Sequence, residues 1–324
     1  MRHLLTSALS VAAVALALLA TGCAKYGEKK QQPIAKIACD ASFENILQQE
    51  IDVYEYIYPK EDVIAYYVDE NSAVDSLMAM SGIRTAVITR MLTQQELDYL
   101  RSHRNTVYQK KIAVDAVAVI VNPENPVEIL SKEELAEILS GKYTRWDQIE
   151  PSKLGDINVI FDHQGSSVVN YMRDSVMNGQ PFGPNVFAQK SNTEVFNTVA
   201  KNKNAIGVIG VSWITSDMNA RNASIEELVQ ASQASDTTRL DFSSDVKVLK
   251  IRGNGEVTAY RPYQANIFDG SYPLHRSVYM ITTGTGATTS HRFFSFVTGF
   301  QGQKIIQMTG ILPATVRPRM VEVE

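Results

Sequence analysis

Apolar positions along the chain follow two alternating rhythms. Short β-rich runs stand at Ile34–Cys39, Val63–Val68, Thr85–Ile88, Ile112–Val121, Ile157–Phe161, Ala205–Ile209, Val246–Ile251 and Val278–Thr283, and they predict strands. Between them the spacing turns helical, with helix starts marked by capping boxes: Thr93 with Glu96, Ser131 with Glu134, Ser191 with Glu194, and Ser224 with Glu227. Leu135, Ile138 and Leu139 share one face of the second of these helices, and Gly141 is placed to end it. Repeated β–α alternation implies an α/β fold with mainly parallel sheets and helices on both faces.

Two segments depart from that rhythm. Ile112–Val121 (IAVDAVAVIV) is too long and apolar for an edge strand, and Asn122-Pro123 and Asn125-Pro126 break it sharply. It predicts a strand crossing from one lobe into another. A second crossing is expected near Tyr272–Tyr279 (YPLHRSVY). Two crossings build one lobe from both ends of the chain, residues 34–114 and 277–324, and the other from its middle, residues 115–276.

The N-terminus is of another kind. Arg2 precedes an apolar run from Leu4 to Ala20, which leads into Ala20-Thr21-Gly22-Cys23. Such a run just suffices to span a bilayer, but small residues directly before a cysteine favour a cleaved export signal over residues 1–22. The pattern resembles the bacterial lipobox, which implies lipidation of Cys23. The polar, aperiodic stretch AKYGEKKQQP follows, so residues 23–33 are expected to tether a folded domain to lipid.

Composition narrows the chemistry. With 324 residues, 44% hydrophobic and 20% charged, the chain is too apolar to be disordered and long enough for one large or two medium domains. Its 31 basic and 35 acidic residues leave a formal charge of −4, so nothing global favours nucleic acid and any anion must be held locally. Cys23 and Cys39 are the only cysteines, which excludes a disulfide framework; Cys39, within Ile37-Ala38-Cys39, reads as a small buried hydrophobe. None of the five histidines pairs with another at i+2 or i+4, so no metal is expected, nor any cofactor. Neither a nucleophile elbow nor a P-loop is present. The run Gly284–Thr289 lacks a third glycine and a downstream acidic partner, and reads as a plain strand-to-helix loop.

What remains are strand-to-helix junctions with small polar side chains: Asp40-Ala41-Ser42, Asn71-Ser72, Thr89-Arg90, Gly165-Ser166-Ser167 and Ser191-Asn192. In an open α/β sheet such junctions face a common crevice, and helix starts offer unpaired N–H groups and partial positive charge. Each is either an ordinary N-cap or part of a small oxyanion site.

Several stretches occur in a telling order: Ile88–Leu92 with Thr-x-x-Glu-Leu after it; Ile112–Trp146 (IAVDAVAVIVNPENPV…LSKEELAEILSGKYTRW); Gly165–Ser167; Ala205-Ile206-Gly207; Tyr272-Pro273-Leu274-x-Arg276; and Phe293–Pro313. Over nearly all of residues 34–316 the sequence resembles the periplasmic phosphate-binding proteins of Pst-type ABC transporters. The resemblance implies the two-lobe type II periplasmic binding-protein fold. Carried over by position, it implies ligand contacts from Ser42, from Thr89 and Arg90, and from Gly165, Ser166 and Ser167 at a helix start. Trp146 and Tyr143 read as packing residues, Gly207 as a point of close backbone approach, and Tyr272–Arg276 as part of the return crossing. Asp115, in the crossing strand, either accepts a proton from the ligand or ties the hinge; Asp40 and Asp162 are further candidates for the acceptor. A carboxylate acceptor favours hydrogen phosphate over sulfate, because only phosphate keeps an O–H to donate. Arg90 is either a charged contact or half of a surface ion pair.

The departures are specific. The first loop reads Cys39-Asp40-Ala41-Ser42 where the family is glycine- and serine-rich, Asp162-His163-Gln164 stands where it often has an arginine, and Thr89 replaces an acidic residue. The resemblance implies a lipid-anchored, periplasm-facing solute-binding protein, not an enzyme, that captures phosphate or a similar oxyanion between its lobes for an ABC permease. Two alternatives stay open: a relative that binds another ligand or serves as a non-transport accessory lipoprotein, and a hydrolase using Ser166 or Ser167 with His163. A carboxylate-lined site would count against an oxyanion.

Overall fold

The computed structural model describes residues 33–215, 224–233 and 242–317. The expected signal, Cys23 and residues 24–32 of the tether lie outside the described residues. In chain order the elements are β1 (Ile34–Asp40), α1 (Glu44–Ile57), β2 (Asp62–Val68), α2 (Glu70–Met78), β3 (Thr85–Ile88), α3 (Gln94–Ser102), β4 (Tyr108–Val121), β5 (Ile129–Ser131), α4 (Lys132–Leu139), β6 (Asn158–Phe161), α5 (Ser167–Tyr171), β7 (Val186–Ala188), α6 (Asn192–Lys201), β8 (Ala205–Gly210), α7 (Ile225–Gln233), β9 (Lys247–Val248), β10 (Lys250–Arg252), β11 (Ala259–Tyr260), α8 (Gln264–Phe268), β12 (His275–Thr282), α9 (Thr289–Val297), α10 (Phe300–Met308) and β13 (Leu312–Pro313). This is a type II periplasmic binding-protein fold, with a mixed sheet flanked by helices.

The main sheet runs β2-β1-β3-β12-β4-β8-β6-β7. β1 is parallel to β2 and β3, and β6 is parallel to β7 and β8. The strands between these sets are antiparallel: β12 to β3 and β4, and β4 to β8. β4 joins the sets. Residues from Tyr108 to Ala116 pair with β12, and residues from Val117 to Val121 pair with β8. Its start is amphipathic, with Lys110 and Lys111 exposed, whereas Ala116–Val121 is wholly buried. A strand covered on both faces tolerates no polar alternation, which is why this stretch stands out in the sequence.

Local signals translate directly. Thr93 with Glu96 and Ser131 with Glu134 form reciprocal capping boxes, as do Ser224 and Glu227. At α6 only half the box forms: the Ser191 hydroxyl accepts from the Glu194 N–H, but the Glu194 carboxylate accepts from the Lys190 N–H instead. Gly207 is required sterically, since a Cβ there would lie 2.7 Å from a Val199 methyl and 2.9 Å from Ile120. Trp146 is fully buried, its indole N–H donating to the Asn204 carbonyl at 3.0 Å. Cys39 is buried as well. The expected strand Val246–Ile251 is divided. Leu249 donates to the Val119 carbonyl and Lys250 to the Glu128 carbonyl, so successive residues serve opposite neighbours, β9 on β4 and β10 on β5. An extended backbone alternates its N–H groups in this way.

One core residue contradicts its surroundings. Glu50, on the buried face of α1, is 1% exposed, and neither carboxylate oxygen has a hydrogen-bond partner. Phe43, Leu47, Val87 and Ile306 line the same small apolar space. Burial alone pushes its carboxyl well above the ordinary range. The folded state therefore favours the protonated acid, and stability falls as pH rises above the unfolded value of about 4.3. Glu50→Met is expected to stabilise the protein by about 1–3 kcal/mol at pH 8. Urea denaturation at pH 8 and at about pH 5 checks this, with a smaller gain at the lower pH.

Candidate functional site

Two chain turns and two strands meet at a buried cluster. After β1, Asp40 caps the turn Ala41–Phe43, its Oδ1 accepting from the Ser42 N–H at 2.8 Å. After β6, Gly165 takes a positive φ of 92°, a conformation that favours glycine, and Ser166 then caps α5 by accepting from the Val169 N–H. The Ser166 hydroxyl donates to Asp162 Oδ1 at 2.5 Å. The hydroxyls of Ser42 and Ser167, 125 residues apart, lie 3.2 Å from each other. From β12, Arg276 Nη1 donates to Ser167 Oγ at 2.6 Å, while Nε and Nη2 donate to Asp115 Oδ2 at 3.1 and 3.0 Å. The guanidinium also lies 4.9 Å from the centre of the Phe43 ring. Asp40, Ser42, Asp115, Asp162, Ser166, Ser167 and Arg276 are all buried.

Of the expected contacts, Ser42, Ser166 and Ser167 come together here, with Asp40 and Asp115 alongside and Gly165 shaping the turn. Thr89 and Arg90 are engaged otherwise. Both the N–H and the hydroxyl of Thr89 donate to Glu70 Oε1 at 2.6 Å. Arg90 makes a two-pronged ion pair with Glu96 of α3, at 2.8 Å for each bond. Glu96 is thereby held down to about 2. The structure thus gives Arg90 the ion-pair role its sequence context also allowed. Asn192 at the start of α6 is buried, with Oδ1 unpartnered.

Sequence reasoning missed two residues. Arg276 was read as part of a crossing, yet it is the guanidinium at the centre of the cluster. Its signal is that it is the one Arg or Lys in that strand, which reads HRSVYMIT. Glu70 supplies an acidic group beside Thr89 from the preceding junction, where only Asn71 and Ser72 had been singled out.

The electrostatics are unusual for an anion site. Asp40, Asp115 and Asp162 surround one arginine, which is already matched by Asp115. Burial pushes the Asp40 carboxyl up, opposed by Arg276 and the Ser42 N–H and reinforced by Glu70. Burial likewise pushes Asp162 up to about 6, opposed by its bond from Ser166 and by His163. Asp115 is raised by burial and pulled back by Arg276. A cavity of about 690 Å³ opens beside the cluster, lined among others by Ala41, Gln48, His163, Lys190, Asn192 and Trp213. No group of three or more His, Cys, Asp or Glu side chains among the described residues is placed to hold a metal. Ser166 directs its hydroxyl to Asp162 rather than to His163, so the geometry offers no Ser–His nucleophile pair at that serine.

Residues 24–299 match the family model of the PBP superfamily domain. The chain belongs to that superfamily. It is 24% identical over 239 residues to the phosphate-binding protein PstS of Borreliella burgdorferi, covering 71% of this chain and 72% of that protein. Against the Staphylococcus aureus protein of the same name it is 26% identical over 198 residues, 59% of this chain and 51% of that one. Among solved structures it is similar to a phosphate ABC-transporter substrate-binding protein of Clostridium perfringens with bound phosphate (17% identity, TM-score 0.68, covering 87% of this chain and 100% of that one). It is also similar to a phosphate transport receptor of Vibrio cholerae (21% identity, TM-score 0.61, 86% and 99%). Each of these relatives carries phosphate binding or phosphate transport in its name.

The two ion pairs near the site differ in burial, and their removal is expected to differ accordingly. Asp115→Ala strands the Arg276 charge and is expected to cost about 3–5 kcal/mol. Arg90→Ala, at a partly exposed and screened pair, is expected to cost about 1 kcal/mol or less. Urea denaturation of both variants measures the contrast.

Proposed function

We propose that this chain is a solute-binding protein that captures inorganic phosphate for an ABC transporter. The observation that carries the reading is the meeting of Ser42 with Ser167 and Arg276, which joins hydroxyl and guanidinium donors from the β1 turn, the α5 start and β12. Donors to a charged oxygen contribute roughly 1.5–3 kcal/mol each, so a handful suffices for micromolar binding at about −8 kcal/mol. Support comes also from the relatives' printed ligand and from the 690 Å³ cavity beside the cluster.

In this reading the lobes are residues 34–114 with 277–324 and residues 115–276, the turns flank a cleft between them, and β4 and β12 are the hinge. Ser42, Ser166 and Ser167 contact the anion, Gly165 lets the α5 turn approach it, and Arg276 supplies the cation. Asp40, Asp115 and Asp162 set which protonation form fits. Glu70 holds Thr89 as a support, and Glu96 holds Arg90 away from the ligand. A ligand shared by both lobes favours their closed arrangement, the shape a permease would recognise. Cleavage before Cys23 and its lipidation anchor the chain on the periplasmic side, with residues 23–33 as tether; the superfamily match begins at residue 24, directly after that cysteine.

The test is calorimetry on purified, ligand-stripped protein with phosphate, sulfate and molybdate. Phosphate is expected to bind in the micromolar range or tighter, with sulfate at least tenfold weaker. Arg276→Gln is expected to abolish binding, whereas Arg90→Ala changes affinity less than about threefold, a difference below 0.7 kcal/mol by the usual conversion of about 1.4 kcal/mol per decade. Silence toward all three anions rejects the reading.

A further inference from the structure

The cavity of about 690 Å³ beside the cluster is far larger than inorganic phosphate needs. At about 30 Å³ of liquid per water it has room for roughly twenty waters, and a phosphate ion fills only a small part of it. Sites that enclose organic ligands span about 300–1,000 Å³, and this one falls among them. Its size does not come from walls that stand apart. One wall is α1 with Tyr67; the other is the turn at His163, the start of α6, Trp213 and α7. At the cluster, the hydroxyls of Ser42 and Ser167 lie 3.2 Å apart, Trp213 Nε1 donates to the Ser42 carbonyl at 2.9 Å, and Asn45 Nδ2 donates to the Ser212 carbonyl at 2.8 Å. Further along α1, Leu228 of α7 is buried in one apolar cluster with Val53 and with Ile305 of α10. The space persists with its walls in contact.

The lining is polar and close to balanced in charge. Glu44, Gln48 and Asp52 follow at helical spacing along α1, and Lys190 and His163 line the other wall. A second charged group on a guest would meet like charge on one side, so a neutral group that hydrogen-bonds fits better. The α1 wall is already linked: Tyr67 Oη donates to Gln48 Oε1 at 3.0 Å, and Gln48 Nε2 to Asp52 Oδ1 at 2.8 Å. Asn192, the first residue of α6, is 4% exposed, and its Oδ1 has no hydrogen-bond partner. An amide oxygen only accepts, so the group it lacks is an O–H or N–H. Phosphate brings few donors; a polyol brings several.

We propose that the site also takes phosphate monoesters of small polyols and sugars, with the phosphoryl group at Ser42, Ser167 and Arg276 and the hydroxylated part in the cavity, where it donates to Asn192. The inference rests on the phosphate reading above and extends its guest from the ion to the ester. No covalent bond changes. The passage between the two parts runs by Ala41 and His163, the cavity residues next in sequence to Ser42 and Asp162 of the cluster. Ala41 has only a methyl group with which to narrow it.

Competition calorimetry on the ligand-stripped full-length protein tests this. The probes are inorganic phosphate, glycerol 3-phosphate and glucose 6-phosphate freed of inorganic phosphate, with glycerol as the control that lacks a phosphoryl group. At least one ester is expected to displace phosphate and to bind within about a hundredfold of it, while glycerol does not bind. Thr193→Trp, which brings an indole into the cavity from an exposed position on α6, is expected to weaken the ester at least about tenfold and phosphate less than about threefold. Asn192→Leu, which removes the buried acceptor, is expected to weaken the ester about three- to tenfold. Phosphate binding with every ester weaker than that hundredfold limit overturns the inference and leaves the phosphate reading standing. Ester affinity unchanged in both variants also overturns it, because the organic part would then lie outside the cavity. Failure of phosphate and esters alike overturns both readings. The wild-type competition decides by itself if a variant does not fold.

Discussion

Arg276 is the constraint around which the site is organised. A guanidinium almost wholly removed from water needs partners, and here Asp115 on β4 and Ser167 at the α5 start accept three hydrogen bonds from it while the face of Phe43 after β1 lies against it. Those three groups come from separate parts of the sheet. One cation therefore fixes how the β1 turn and the α5 turn face each other, and Ser42 and Ser167 touch as a result. Moving Asp115 strands the Arg276 charge, and moving Ser167 removes one of its acceptors.

The ion pair is built on β4. Its first half is held by β12 and its second by β8, and Asp115 lies one residue before the switch in partners. The ion pair with Arg276, at its register partner on β12, pins the strands where the sheet changes hands. Asp115 was left with two possible roles in the sequence. The geometry ties its Oδ2 to Arg276, while its Oδ1, like Oδ2 of Asp40 and of Asp162 in the neighbouring turns, is buried without a hydrogen-bond partner.

The departures from the family pattern now form a set. An aspartate precedes Ser42, another stands in place of an arginine before the α5 turn, and the cation comes from β12. A carboxylate-rich site weighs against a simple oxyanion receptor, and membership of the superfamily does not remove that tension. In a buried turn, a carboxyl that holds a proton is a donor, not a repulsive charge.

The sequence alone determined the elements and the order of the turns. Strands, capping boxes, the long apolar crossing and the buried Cys39 follow from spacing and burial patterns that are local, so they are legible residue by residue. Ser42, Ser166 and Ser167 were legible for the same reason, as helix-start residues at strand ends. Arg276, Glu70 and the unpartnered carboxylate oxygens of Asp40, Asp115 and Asp162 were not, nor was the pairing of Arg90 with Glu96 decidable against a ligand contact. Which charge meets which depends on groups far apart in the chain, 161 residues for Arg276 with Asp115, and on desolvation that only the assembled sheet imposes.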